Sequence, residues 1–119
     1  MRQRTLGQLE DEFTKAIIKF EKEHLGRGPL DTRTYFINDM ILVRIQGILT
    51  PAEAKLAETR EGRTLVKEAR RQLFESSREL LVEIVQDILS LNLVSLHTDM
   101  STRTGERIVV LTVDKVLRK

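Results

Sequence analysis

Residues 91–114, LNLVSLHTDMSTRTGERIVVLTVD, contain the pattern that decides the fold. Two runs rich in β-branched residues flank a polar segment, and Thr104-Gly105 supplies the chemistry of a turn, so the stretch predicts a β-hairpin. The second run is apolar at every position from Ile108 to Leu111 and again at Val113. Because strand side chains alternate, both faces of this strand carry apolar residues.

A second hairpin is predicted upstream, where RTYFI (33–37) and MILVRIQG (40–47) are separated by Asn38-Asp39. Asparagine and aspartate tolerate positive φ, which a two-residue turn requires. The second of these runs also has apolar residues on both faces, which indicates a central or doubly covered strand.

Three helices are predicted around these hairpins. The first spans about Thr5–Leu25. Thr50-Pro51-Ala52-Glu53 combines a capping threonine, a proline suited to the first helical position and a glutamate that closes a capping box. That short helix should end near Arg60, with Gly62 marking the break, and a long helix should follow over Arg63–Leu89.

The order α-β-β-α-α-β-β predicts an α+β fold with a mainly antiparallel four-stranded sheet built from two hairpins. The N-terminal helix and the long central helix should pack on this sheet in one domain, residues 1–119. The apolar stripe of the long helix is wider than one sheet face usually covers. Together with the two-faced last strand it predicts a homodimer, although helices on both faces of a monomeric sheet would also satisfy the pattern.

Composition excludes several classes of function. The chain has no cysteine, so disulfides and thiol chemistry are absent, and 20 basic residues nearly balance 18 acidic ones. This balance argues against a nucleic-acid binder, which needs clustered cations. The N-terminus lacks a signal peptide, and no apolar run approaches the roughly twenty residues of a membrane span. We therefore expect a cytoplasmic protein without a transmembrane segment.

The densest polar cluster lies in the C-terminal hairpin. By alternation, His97 and Asp99 fall on one face about 7 Å apart, where they could act as an acid–base pair or hold a ligand. Alternatively, these residue types simply close the turn. Two ligands are too few for a metal site, and no cofactor or catalytic motif is present, so nothing here requires an enzyme. The candidate residues are His97, Asp99, Ser101, Thr102, Thr104, Gly105 and Glu106.

A second candidate is a basic surface on the long helix that could bind phosphates, anionic lipid headgroups, nucleic acid or an acidic partner. The alternative is a solvated helix face with local pairs such as Glu68 with Arg71. Arg44 stands apart inside an apolar strand and should be at an edge or paired, with Glu53 or Glu106. The candidate anion-binding residues are Arg44, Arg63, Lys67, Arg70 and Arg71.

Several strings occur together over Leu6–Asp114: Gly28-Pro29, Asn38-Asp39-Met40, Val43-Arg44, Gly47-Ile48-Leu49-Thr50-Pro51-Ala52-Glu53, Gly62-Arg63, Leu65-Val66-Lys67, Arg71-Gln72-Leu73, His97-Thr98-Asp99, Ser101-Thr102 and Thr104-Gly105-Glu106. Their combination resembles the MpsC-like family, formerly a family of unknown function, whose label denotes a sodium-translocating, membrane-potential-generating system. The resemblance implies an accessory or regulatory protein of a membrane cation-transport or inorganic-carbon-uptake system, with a membrane transport protein as partner. It assigns no catalytic residues.

Overall fold

A computed structural model describes residues 4–25 and 28–117. In that part of the chain, four antiparallel strands form one sheet in the order β1-β2-β4-β3, accompanied by helices. This confirms the predicted α+β fold and its order of helices and hairpins. The elements are α1 (Leu6–His24), β1 (Asp31–Ile37), β2 (Met40–Gln46), α2 (Pro51–Leu56), α3 (Arg60–Ser76), α4 (Arg78–Leu89), β3 (Leu93–Ser101) and β4 (Glu106–Val113).

Both predicted hairpins form, and their turns have the expected chemistry. Asn38 adopts φ 58° between β1 and β2, and Gly105 adopts φ 73° between β3 and β4. The two hairpins join through β2 and β4, which pair with Ile41 opposite Leu111 and Val43 opposite Val109. β2 is therefore a central strand, as its two-faced apolar pattern predicts.

The helices cover one face of the sheet, which we call the inner face. Inner-face side chains such as Val43, Val109 and Leu111 are fully buried, whereas Tyr35 and Ile37, on the other side of β1, are 42% and 45% exposed. We call that second side the outer face. Its residues are Asp31, Arg33, Tyr35, Ile37, Met40, Leu42, Arg44, Gln46, Ser95, His97, Asp99, Ser101, Glu106, Ile108, Val110 and Thr112.

The long central helix predicted over Arg63–Leu89 is two helices, α3 and α4, which meet at Ser77. The hydroxyls of Ser76 and Ser77 both donate to the carbonyl oxygen of Leu73, at 2.9 and 3.0 Å. Such back-bonding competes with the helical pattern and bends or ends helices. The single-helix prediction was wrong because serine gives only a weak helix-ending signal in sequence.

Gly62 does not mark a break between helices, as predicted, but lies in the first turn of α3. Thr59 caps that helix by accepting a hydrogen bond from the Gly62 amide at 3.0 Å. A Cβ atom at Gly62 would lie 1.6 Å from the carbonyl oxygen of Leu56. Glycine is therefore required because α2 and α3 approach each other closely here. The sequence Gly26-Arg27-Gly28-Pro29 predicts the end of the first helix, and Gly26 and Arg27 lie outside the described residues.

α1 packs along β1, the strand at one edge of the sheet. The Thr14 hydroxyl donates to the Thr34 hydroxyl at 2.7 Å, and the backbone amide of Phe36 donates to Glu10 Oε2 at 2.8 Å. An acidic side chain thus occupies a place that a neighbouring strand would take.

Candidate functional site

Two arginines among the described residues are carried into the core, and each is only 2% exposed. Arg70 lies between Val66 and Phe74 on the buried stripe of α3, at the i, i+4 spacing of one helix face. Arg107 occupies an inner-face position of β4, two residues before Val109. The position of each arginine on a buried face of its helix or strand therefore places its side chain between the helices and the sheet.

Arg70 contacts α2 and the segment before it through Nε and Nη2, while its buried Nη1 has no hydrogen-bond partner among the described residues. Its Nε donates to Glu53 Oε2 at 2.8 Å, and its Nη2 donates to Glu53 Oε1 at 2.6 Å and to the Ile48 carbonyl at 2.8 Å. The same carboxylate closes the predicted capping box by accepting from the Thr50 amide at 3.0 Å. Burial alone would raise the pKa of Glu53, but the hydrogen bonds from Arg70 and Thr50 outweigh it and lower the pKa.

Arg107 faces a looser set of groups. Its Nε lies 3.7 Å from Oε1 of Glu21, a fully buried residue of α1. Its Nη1 donates to the Thr98 hydroxyl at 3.3 Å, and its Cζ lies 4.9 Å from the centre of the Phe74 ring. Within residues 4–25 and 28–117, Nε and Nη2 have no hydrogen-bond partner, and neither carboxylate oxygen of Glu21 has one. Such orphaned buried groups are rare in folded proteins.

Burial dominates the titration of this pair. It raises the pKa of the Glu21 carboxyl, against the opposing charges of Arg107 and Arg70. It lowers the pKa of Arg107, and the like charge of Arg70 acts in the same direction while Glu21 opposes it. Both groups are thus held where their charged forms are poorly solvated.

Arg107 also lines a pocket of about 290 Å³ between α3 and the edge strand β3, which we call the α3–β3 pocket. Lys67 Nζ lies at this site 3.5 Å from Asp99 Oδ1. The same Asp99 oxygen accepts a hydrogen bond from the Met100 amide at 2.8 Å. The lining residues are Thr64, Lys67, Glu68, Arg71, Thr98, Asp99, Met100 and Arg107.

The polar hairpin residues do not converge on one site. His97 and Asp99 both point to the outer-face side, opposite Val110 and Ile108, and both are exposed. Ser101 serves the turn, because its hydroxyl accepts from the Thr104 amide at 3.2 Å and its carbonyl accepts from the Gly105 amide at 2.8 Å.

Thr102, Thr104 and Gly105 line a separate open groove with Arg63 and Arg103. Glu106 Oε2 accepts from Arg44 Nε at 2.6 Å, so one of the two partners predicted for Arg44 is confirmed. The other, Glu53, binds Arg70 instead.

The five candidate anion-binding residues do not share one surface either. Arg70 is buried, Arg44 is on the outer face, and Arg63 donates to the Ala57 carbonyl at 3.2 Å. Arg71 donates to both Glu68 and Glu75, at 2.6 and 2.9 Å, which is the local pairing expected of a solvated helix face. Lys67 and Arg71 both line the pocket that contains Arg107, but Arg71 is already paired with Glu68 and Glu75.

Neither Glu21 nor Arg107 is among the site residues predicted from the sequence. Glu21 follows Phe13 and Ile17 at steps of four on the buried stripe of α1. Arg107 shares the alternation of Val109, Leu111 and Val113. A charged residue on an otherwise apolar face was the available signal in both cases. In the part of the chain that the structure describes, no three His, Asp or Glu side chains are grouped as metal ligands.

A family model described as "Na+-translocating membrane potential-generating system (MpsC)" matches residues 5–115. The chain belongs to this family. Two curated relatives come from Bacillus subtilis (strain 168). The uncharacterized protein YbcI is 42% identical over 113 residues, covering 95% of this chain and 91% of the relative. The uncharacterized protein YrhF is 30% identical over 105 residues, covering 87% and 86%.

No solved structure matches this MpsC-family chain significantly. None of the helices in the described ranges is both long enough and apolar enough to pass through a bilayer.

Proposed function

We propose that the protein is an accessory, regulatory component of a sodium-translocating, membrane-potential-generating system, and that it acts at the cytoplasmic side of the membrane. The family match over residues 5–115 supports this proposal, because it covers nearly the whole chain and so concerns the α+β domain as a unit. In this role the protein works by binding, as a homodimer, to a membrane transport protein.

The observation that carries the binding role is the open, apolar outer face of the sheet. Tyr35, Leu42 and Val110 are cross-strand neighbours on β1, β2 and β4, and His97 continues the row on β3. In the next row Ile37 is paired with Met40, and they are 45% and 36% exposed. A contiguous apolar patch of this kind on a soluble domain marks an interaction surface.

A second copy of this chain is the occupant that fits the outer face best. A two-fold axis parallel to the strands stacks β1 and β2 of one copy over β3 and β4 of the other, so that Leu42 faces Val110 of its partner. The charges are complementary in this arrangement. The β1–β2 half carries Asp31, Arg33 and Arg44, for a net charge of +1, and the other half carries Glu106 and Asp99, for −2.

The dimer is tested by measuring the mass in solution of the wild type and of Val110→Glu, which places a charge at the centre of the patch. We expect the wild type at twice the 13.7 kDa of the chain and the variant at the monomer mass with unchanged circular dichroism. Leu65→Glu is the matched control, since Leu65 is an exposed apolar residue of α3. A monomeric wild type, or a dimer that Leu65→Glu breaks and Val110→Glu does not, contradicts this interface.

The membrane role is tested in cells by deleting the gene and recording the sodium-dependent part of the membrane potential with a potential-sensitive dye. We expect the deletion to reduce it, and wild type and Leu65→Glu to restore it, whereas Val110→Glu fails. An unchanged sodium-dependent potential in the deletion strain would exclude this role, whatever the oligomeric state.

A further inference from the structure

We propose that the α3–β3 pocket binds a small oxyanion, with Arg107 as its anchor and Lys67 and Thr98 as further hydrogen-bond donors. Apart from Asp99, which also belongs to the outer face, the lining comes from α3 and from inner-face positions of β3 and β4. The ligand class follows from the donors, which are a guanidinium, an ammonium and a hydroxyl group.

Arg107 provides the strongest argument. Its side chain is 98% buried, yet two of its three nitrogens lack hydrogen-bond partners among residues 4–25 and 28–117. A guanidinium group is a rigid, planar fork that fits the oxygens of carboxylate or phosphate, and its charge-assisted hydrogen bonds are stronger than neutral ones. Both nitrogens are shielded from solvent, so an oxyanion in the adjoining pocket would accept their hydrogen bonds once the Arg107 side chain turns towards it.

The charges around the pocket leave a positive excess. The charged residues of its lining are three cations and two acids: Lys67, Arg71, Arg107, Glu68 and Asp99. Arg71 is occupied by Glu68 and Glu75 on its own helix, so Lys67 and Arg107 are the cations available to a ligand.

Glu21 lies behind Arg107 and compensates part of its charge without hydrogen-bonding to it. At about 290 Å³ the pocket has room for an oxyanion with several waters, because a water molecule in the liquid occupies about 30 Å³.

Asp99 acts as a built-in competitor for this site. Its carboxylate lies 3.5 Å from Lys67 Nζ, and the two side chains are 83% and 47% exposed. Exposed ion pairs of this kind contribute little free energy, so a ligand oxyanion can displace Asp99 from Lys67 at small cost. The ligand therefore replaces Asp99 as the partner of Lys67.

Inorganic phosphate is the probe, titrated into the wild-type protein at constant pH and ionic strength, with amide chemical shifts of Thr64, Lys67 and Thr98 as the readout. We expect saturable shifts at these residues. Lys67→Gln should weaken binding roughly ten-fold, the effect of one charged hydrogen bond, and Asp99→Asn should strengthen it roughly five-fold by removing a nearby like charge.

Opposite signs distinguish a binding site from a structural role, because both substitutions break the same ion pair. Arg63→Gln is the matched control, since Arg63 lies one turn earlier on α3 and lines a different groove. The mass of each variant is recorded alongside, as Asp99 also belongs to the outer face. Arg107→Lys, which keeps the charge but loses the fork, should weaken binding beyond the effect of Lys67→Gln if it folds.

Absence of a saturable shift in the wild type would overturn the proposal, and so would affinities that move in the same direction in Lys67→Gln and Asp99→Asn. Neither result bears on the dimer or on the sodium-dependent potential, which are measured without phosphate. The two proposals can therefore fail independently.

Discussion

Arg70 and Arg107 are equally buried, but their surroundings differ. Arg70 donates three hydrogen bonds, two of them to a carboxylate that is itself fixed by a helix cap. Arg107 donates one long hydrogen bond to Thr98 and faces Glu21 beyond hydrogen-bonding distance, as far as the described residues show. Among the described residues, only Nη1 of the Arg70 guanidinium lacks a hydrogen-bond partner, whereas both Nε and Nη2 of Arg107 lack one.

The difference shows that burial of a charge does not by itself identify its role. A buried ion pair contributes to stability only when its geometry is good and its remaining polar atoms are satisfied. Arg70 comes close to that condition, because its ion pair with Glu53 has good geometry and Nη1 is its one unpartnered nitrogen within the described residues, and it fastens α2 to α3. Arg107 does not, so its retention in the core requires another reason, which the α3–β3 pocket supplies.

The largest effect is expected from Arg70→Met, which leaves the Glu53 carboxylate and the Ile48 carbonyl without their partner. Removing one member of a buried pair should lower the free energy of unfolding by about 3–5 kcal/mol. Urea denaturation measures this loss, with Arg71→Met on the exposed side of α3 as the control, where we expect a much smaller change. Equal losses in the two variants would mean that Arg70 does not fasten α2.

The second prediction concerns the double variant Glu21→Leu with Arg107→Met. Replacing an unsatisfied buried pair with apolar residues should be neutral or should raise the free energy of unfolding by about 1–4 kcal/mol, whereas each single change should destabilise. The same denaturation experiment measures all three variants, and the double variant should also lose phosphate binding. A double variant as unstable as the sum of its parts would show that the pair is structural after all.

The third prediction compares the pH dependence of Glu53→Gln and Glu21→Gln with that of the wild type. The pKa of Glu53 is lowered in the folded protein, so its stabilising contribution is present above the ordinary value of 4.5 and is lost as the pH falls through the folded pKa. The pKa of Glu21 is raised, so its penalty is present at neutral pH and is relieved as the pH falls towards 4.5.

On acidification, the wild type should therefore lose stability relative to Glu53→Gln. It should gain stability relative to Glu21→Gln. Unfolding free energies measured from neutral pH to 4.5 give the Glu21 difference, and those measured below 4.5 give the Glu53 difference. If the stability difference between wild type and glutamine variant changed with pH in the same direction at both positions, the predicted contrast between Glu53 and Glu21 would be wrong.

The smallest effect is expected at Arg44 and Glu106, an ion pair on the outer face whose side chains are 52% and 27% exposed. Arg44→Gln and Glu106→Gln should each change the free energy of unfolding by less than about 1 kcal/mol, because solvent and salt screen such pairs. A double-mutant cycle at low and high salt measures the coupling. A coupling free energy that is unchanged at high salt would show that this pair behaves like the buried Arg70–Glu53 pair and not like a surface ion pair.

Local rules of sequence predicted the features that depend on neighbouring residues. The Thr50–Glu53 capping box, the Asn38-Asp39 turn and the Gly105 turn need only a few consecutive side chains with suitable chemistry. The Arg44–Glu106 pair was also within reach, because a charge inside an apolar strand requires a partner and few acids lie on adjoining strands.

Features that depend on how layers meet could not be predicted in the same way. The need for glycine at position 62 comes from the approach of the Leu56 carbonyl, and the sequence suggested a helix break instead. The pairing of Glu21 with Arg107 joins α1 to β4 across 86 positions in the chain (107 − 21). Each residue could be assigned to a buried face from its spacing, but only the packing of the helix on the sheet shows that the two faces meet.

The hydrogen bond from the Phe36 amide to Glu10 bears on how this molecule behaves when crowded. An incoming strand cannot pair with β1 at that amide, because the Glu10 carboxylate and α1 already lie along this edge. At the other margin of the sheet, β3 is irregular between Leu93 and Ser95, which disturbs the straight ladder that fibril growth needs. Concentrated protein should therefore not form fibrils by edge-to-edge strand pairing. Copies should associate through the face of the sheet instead.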